Sequence, residues 1–329
     1  MSFSIIIPLY NRPEEVNELL LSLCEQTMKE FEVIIVEDGS TRKSEDVVEK
    51  YHDRLDITYF LKDNSGPGLS RNAGAARAKN SYLIFFDSDC IIPPHYMETV
   101  SRSLSTNYVD AFGGPDAALP SFTTIQKAIN YSMTSFFTTG GIRGKKQSMD
   151  KFHPRSFNLG VSREAFNAIG GYGTMRFGED IDFSLRLLKA GFSTALIPEA
   201  FVYHKRRSTF KQFFKQVHNS GIARINLHLA HPGSLKMVHA LPAMFVTGMA
   251  MIFLLSLRYP IFLIIPFLYS LAIFADAMRL HRSAKVAAYS IVAAWVQTTG
   301  YGTGFLSAAW RRLVRKQNEF RAFDKKFYD

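Results

Sequence analysis

Short apolar runs alternate with stretches of helical spacing through the first hundred residues of the chain. Phe3 to Pro8 is a near-continuous apolar run of strand length. Glu14 to Cys24 then places Val16, Leu19, Leu20 and Leu23 on one helical face. Phe31 to Val36 predicts a second strand, Ser44 to Tyr51 a helix, Ile57 to Leu61 a third strand, Gly68 to Lys79 a helix, and Tyr82 to Phe86 a fourth strand. This alternation predicts an α/β fold with a mostly parallel sheet and helices on both faces. Ligands in such folds bind at the carboxyl ends of the strands. Asn11, Asp38, Asn64 and Asp87 each follow a predicted strand, so they are expected on one rim.

Farther along, Thr138 to Asp150 is rich in glycine and lysine and is expected to be a loop, a candidate lid. Strands are expected at Phe157 to Val161, Phe192 to Ile197 and Phe201 to His204. A turn is expected at Gly170 to Gly173, and helices at Gly178 to Ala190 and from Ser208 to Leu229. Leu241 to Leu257 and Ile261 to Ala275 are then apolar and uncharged, with Arg258-Tyr259-Pro260 between them. A 17-residue helix covers about 25 Å, so the pair reads as a transmembrane hairpin over 241–257 and 261–276. The middle of the next apolar segment, 286–310, is polar and glycine-rich. It is expected to be re-entrant or in-plane, against the alternative of three ordinary spans. The expected organisation is a catalytic domain at 1–232, a membrane-associated region at 233–310 and a basic tail at 311–329.

Charge supports a membrane surface. The chain carries a net charge of +10, and no acidic residue lies between Glu199 and Asp276. Lys205, Arg206, Arg207, Lys211, Lys215, Arg224, Lys236 and Arg258 fall in that interval, beside the apolar segments, where a basic collar attracts anionic lipid. A solvated basic face or a nucleic-acid surface would carry similar charge; the adjoining apolar runs favour membrane lipids, and no nucleic-acid partner is expected. The two cysteines, Cys24 and Cys90, lie in no metal or disulfide spacing. The opening MSFSIIIPLYN has no secretory pattern, so the catalytic part is expected in the cytosol, on a multi-pass cytoplasmic membrane protein.

Several polar clusters carry candidate chemistry. Asp87-Ser88-Asp89 ends the run Tyr82 to Phe86; two carboxylates there fit either a hard divalent cation shared with phosphates or a helix cap. Glu37-Asp38-Gly39-Ser40 fits a base or ribose contact, or a plain turn. Asn64 to Asn72, containing Arg71, opens a helix in a way that suits an anion nearby. Glu179, Asp180 and Asp182 crowd a helix start, which the helix dipole favours and a general base also requires. His204 closes a strand and fits a metal ligand or an ordinary hydrogen-bonding histidine.

The order PLYN, EDGS, GPGLSRNAG, FFDSD, GEDIDF and VYH resembles glycosyltransferase family 2, the inverting GT-A enzymes, over roughly residues 3 to 230. The resemblance implies that Pro8 and Tyr10 flank the nucleotide base, with Asn11 beside them. Asp38, with Glu37, reads the base, typically uracil, and Arg71 and Asn72 belong to the nucleotide-sugar site. Asp87 meets the ribose, and Ser88 belongs to the same nucleotide-sugar site. Asp89, with Asp87 and His204, holds Mn²⁺ or Mg²⁺, and Asp180 is the base with Glu179 its neighbour. Glu37 stands where the family usually has Asp. The Gln-x-x-Arg-Trp motif of processive members has no match at Gln212 to Gln216, so addition of one sugar is implied. The expected function is transfer from a nucleotide-diphosphate sugar to a lipid-linked or cell-surface glycan acceptor. The alternatives are polyprenyl-phosphate glycosylation and a non-catalytic nucleotide-sugar-binding subunit.

Overall fold

The computed structural model describes residues 1–119, 121–139 and 153–319. The expected loop at Thr138 to Asp150 falls mostly outside them, as does the tail beyond 319. Among the described residues, 1–119 and 153–205 form one compact unit, and 121–139 with 206–319 form a second. The division into compact units falls after residue 205, and 121–139 belongs to the C-terminal one.

The first unit contains β1 (Phe3–Leu9), α1 (Pro13–Cys24), β2 (Phe31–Asp38), α2 (Glu45–Val48), β3 (Ile57–Lys62), α3 (Pro67–Ala75), β4 (Tyr82–Phe86), β5 (Cys90–Ile91), α4 (Tyr96–Thr106), β6 (Ala111–Gly113) and β7 (Asp116–Ala117). The second unit opens with α5 (Thr124–Thr134) and α6 (Phe136–Thr139). The chain then returns to the first unit for β8 (Asn158–Ser162), α7 (Arg163–Ala168), α8 (Glu179–Lys189), β9 (Thr194–Leu196) and β10 (Val202–His204).

Seven strands form the main sheet in the order β3-β2-β1-β4-β8-β6-β9. β3, β2, β1 and β4 are parallel, and β8 runs antiparallel to both its neighbours. Side chains alternate across each strand. Ile5, Ile7, Val33, Ile35 and Ile84 join one buried cluster with Leu19, Leu23 and Met97, while Ile6, Ile34, Val36, Leu83 and Phe85 join another with Ala165, Phe183 and Leu187. Both faces are thus covered, which explains why the strand runs are apolar throughout. A small second sheet, β5-β10-β7, pairs β10 antiparallel to β5 and sets His204 opposite Cys90.

The second unit continues with α9 (Phe210–Ala230), α10 (Leu241–Ser256), α11 (Ile264–His281) and α12 (Ala284–Ala309). The polar, glycine-rich middle of 286–310 does not interrupt the helix: α12 is continuous over 26 residues. Its glycines form the packing surface. A Cβ on Gly302 would lie 2.3 Å from the Pro242 carbonyl oxygen, and one on Gly304 2.0 Å from that of His218. Helix backbones approach this closely only where the side chain is absent. The multi-pass expectation is also reduced. Among the described residues, one helical stretch, Pro260–His281, is long and apolar enough to cross a membrane by length and composition, with a mean hydropathy of 2.1. The other arm of the expected hairpin, α10, has 16 residues and falls among the shorter apolar helices.

Candidate active site

The carboxyl ends of β1, β2 and β3 build one wall. Asp38, the last residue of β2, is buried. Its Oδ1 accepts from Lys62 Nζ at 2.6 Å and from the Ser65 amide at 2.9 Å, and its Oδ2 from the Gly66 amide at 2.8 Å. The segment leading into α3 is therefore folded around this carboxylate. Gly39 follows with φ of +70°, and a Cβ there would meet the Asn64 amide nitrogen at 2.8 Å; glycine is required twice over. Glu37 is fully buried and accepts from the Ser40 hydroxyl, the Ser44 amide (3.0 Å) and the Tyr59 hydroxyl (3.1 Å). It holds the turn that presents Asp38. Asn11, at φ +54°, accepts through Oδ1 from the amides of Thr41 and Arg42, both at 2.9 Å, and clamps the same turn from β1.

The rim at β4 is organised by Arg71, whose side chain is 2% exposed. Its Nη2 donates to Asp87 Oδ1 at 2.6 Å, its Nη1 lies 3.5 Å from Glu179 Oε1, and its guanidinium stands 5.2 Å over the Tyr172 ring. One buried cation thus joins the end of β4 to the start of α8. Asn72 points elsewhere: its side chain exchanges two hydrogen bonds with the backbone of Tyr172, at 2.8 and 2.9 Å. These bonds clamp Asn72 to the Gly170–Gly173 turn. Pro8 is buried within β1, Tyr10 is half-buried at its end, and Ser88 is buried between the two aspartates.

Asp89 comes together with His204 through the β5–β10 pairing. Its Oδ1 lies 3.1 Å from His204 Nε2, and its Oδ2 accepts from Arg12 Nη1 at 2.6 Å. The Asp89 backbone carbonyl also accepts from the Lys205 amide at 3.2 Å, which fixes the register of the small sheet. Phe157 stacks on the His204 ring at 5.0 Å between centroids and sets its orientation. Asp89, Cys90 and His204 offer ligand atoms within 4.8 Å of one another. Burial pushes the Cys90 thiol well up, and its sulfur donates to the Phe157 carbonyl at 3.5 Å. The remaining carboxylate and imidazole fit a divalent cation of intermediate hardness such as Mn²⁺.

The three acids at the start of α8 have separate partners. Asp182 pairs with Arg186 at 2.8 Å, and Arg186 in turn donates to the carbonyls of Ile169 and Gly171 at 2.6 and 2.7 Å, an arrangement that secures the preceding turn. Asp180 Oδ2 meets Arg155 Nε at 2.7 Å. Glu179 faces Arg71; burial, then repulsion from Asp180, raises its pKa to about 7 against the pull of Arg71. The geometry therefore gathers Asp38, Asp87, Asp89, His204, Glu179 and Asp180 at one end of the sheet. The cations Arg12, Lys62 and Arg155 escape sequence reasoning, because a single basic residue carries no spacing signal.

Residues 4–170 match the family model for glycosyl transferase family 2. An uncharacterized glycosyltransferase of Haemophilus influenzae is 32% identical over 218 residues, covering 63% of this chain and 70% of the relative. Poly(ribitol-phosphate) β-N-acetylglucosaminyltransferase TarS of Staphylococcus aureus is 36% identical over 114 residues, 33% of this chain and only 20% of TarS. Among solved structures, S. aureus TarS 1–349 with UDP-GlcNAc superposes with a TM-score of 0.51 at 18% identity, over 97% of this chain and 93% of that one. The mannosyltransferase PcManGT of Pyrobaculum calidifontis, solved with GDP-Man and Mn²⁺, gives 0.62 at 16% identity, over 96% and 88%. At these identities the structures establish the fold, GT-A. The motif order, the sheet and the family match agree: this chain belongs to glycosyl transferase family 2.

Proposed function

We propose that the protein moves one sugar, with inversion, from a nucleotide-diphosphate sugar to a lipid-linked or cell-surface glycan acceptor at the cytosolic face of a membrane. The observation that carries this reading is the set of charged contacts along one rim: Asp89 and His204, 3.1 Å apart, and Asp87 bridged by Arg71 to Glu179, the neighbour of Asp180. Pro8 and Tyr10 flank the base and Asp38 reads it, with UDP the nucleotide of choice. Asp87 and Ser88 hold the ribose, and Asp89 and His204 face the diphosphate. A divalent cation at these last two residues supplies neutralisation of the leaving group's charge. Asp180 takes the proton of the acceptor hydroxyl as its oxygen attacks the anomeric carbon and the bond to the diphosphate breaks. Arg71 keeps Asp87 and Glu179 in place while the charge moves.

The acceptor side rests on α10 and α11. They expose large apolar side chains, Leu254 of α10 being 64% accessible, and the exposed Arg258 stands between them. A patch of this kind fits lipid better than water. The test is a donor screen on the purified protein with mass analysis of the lipid fraction. One nucleotide sugar should give a lipid-extractable product one sugar heavier. Transfer to soluble acceptors alone removes the lipid-linked part of the proposal, and no transfer from any nucleotide sugar removes the donor class.

A further inference from the structure

Asp89 is a buried carboxylate, and such a group needs a cation whether or not a metal is bound. Arg12 supplies one, through Nη1 at 2.6 Å from Oδ2. The backbone of Arg12 is anchored: it follows the left-handed Asn11, and its carbonyl accepts from the Val16 amide to open α1. Its side chain is not buried in the same way, being 32% exposed. The groups that act on its charge are Asp89, Glu15 and Asp87. A divalent cation on Asp89 would draw on the same negative charge and repel the guanidinium, so the two compete for the carboxylate even from different oxygens.

We propose that Arg12 is an internal stand-in for the divalent cation: it holds Asp89 while the site lacks metal, and it passes to the donor's diphosphate once metal takes the carboxylate. This rests on the metal and nucleotide-sugar reading given above. The chemistry suits both positions, because the planar guanidinium fork pairs with carboxylate and with phosphate oxygens alike. Arg12 therefore opposes metal binding in the absence of nucleotide and favours nucleotide binding in the presence of metal. By linkage, it makes part of the positive coupling between the two ligands.

The opposite signs are what the experiment reads. Mn²⁺ binding is titrated by the loss of the free-ion paramagnetic resonance signal, with wild type, Arg12→Met and Arg12→Lys. UDP and GDP binding are measured calorimetrically with and without saturating Mn²⁺, and the tighter nucleotide is carried forward. Without nucleotide, Arg12→Met is expected to bind Mn²⁺ roughly fivefold more tightly than wild type, and with Mn²⁺ present it should bind nucleotide roughly tenfold more weakly. Arg12→Lys keeps a cation but loses the fork, so its Mn²⁺ affinity should stay near that of wild type while its nucleotide affinity falls. A merely structural role would weaken both affinities in Arg12→Met, and that result, or unchanged Mn²⁺ affinity, overturns the proposal. Wild type that binds no Mn²⁺ with or without nucleotide overturns the metal reading itself, and this proposal with it.

Discussion

Arg155 Nε lies 2.7 Å from Asp180 Oδ2, so the first turn of α8 is tied to the segment that enters β8. Ser184 reinforces the link by donating to the Pro154 carbonyl at 2.6 Å. The Asp180 carboxylate is thereby held in one orientation, as a proton acceptor in an attack on a sugar must be. Asp180→Asn keeps the size and a hydrogen-bonding oxygen but cannot take a proton. Turnover should fall by roughly 100-fold or more, with nucleotide affinity unchanged. Steady-state product release and calorimetric nucleotide binding on the same preparation check this; a parallel loss of binding would mean that Asp180 is part of the donor site instead.

Glu179 gives a pH dependence of stability with a defined sign. Its pKa is raised from 4.5 to about 7, first by burial and then by Asp180. In this interval the folded protein holds a proton that the unfolded chain has already released, so stability falls as pH rises through it. Below the unfolded value there is no effect, and above the folded value the loss is complete. Glu179→Gln removes the dependence. The midpoint of thermal unfolding of the variant, relative to wild type, should therefore climb from pH 5 to pH 8 and level off. A difference that stays flat across that range would place the Glu179 titration elsewhere.

Much of the fold is legible in the sequence. The four parallel strands follow from apolar runs too continuous for a one-sided sheet; Asp38, Asp87 and Asp89 stand out at or just past strand ends, Asp180 at a helix start and His204 at the end of a short strand. What was not legible depends on pairing. β5 and β7 have two residues each, too few for any periodicity, yet the β5–β10 register is what brings His204 to Asp89. Strand direction is likewise absent from an apolar run, so the antiparallel β8 could not be foreseen. The local bonds of Glu37 and Asn72 to backbone and neighbouring hydroxyls carry no sequence signal either, since they depend on how the turns fold.

The Asp89–His204 pair predicts metal dependence. Asp89→Asn leaves a neutral amide facing Arg12 and His204 and removes the anionic ligand. Turnover should drop to background, and nucleotide binding should lose its response to Mn²⁺. Chelation of wild type should do the same and be reversed by adding Mn²⁺ back. Unchanged turnover under chelation would show that Arg12 and His204 alone neutralise the leaving group.

The glycines of α12 allow a test in which the sign of one substitution changes with position. In an exposed helix, glycine to alanine stabilises by up to about 1 kcal/mol, because alanine restricts the unfolded chain and favours the helix. Gly248 in α10 meets that condition, with nothing within 4 Å of its absent Cβ. Gly304 does not: the added carbon would lie 2.0 Å from the His218 carbonyl oxygen, which belongs to the backbone of α9 and cannot rotate aside. Relief requires the two helices to separate, and overpacking of this kind costs about 1–3 kcal/mol. Gly304→Ala should lower the unfolding midpoint of the detergent-purified protein and Gly248→Ala should hold or raise it. Equal effects from the two would mean that α12 lies farther from α9 than the structure places it. The same contact explains why a glycine-rich, polar stretch forms an unbroken helix: the helix propensity lost at Gly300, Gly302 and Gly304 is offset by packing that only a bare backbone permits.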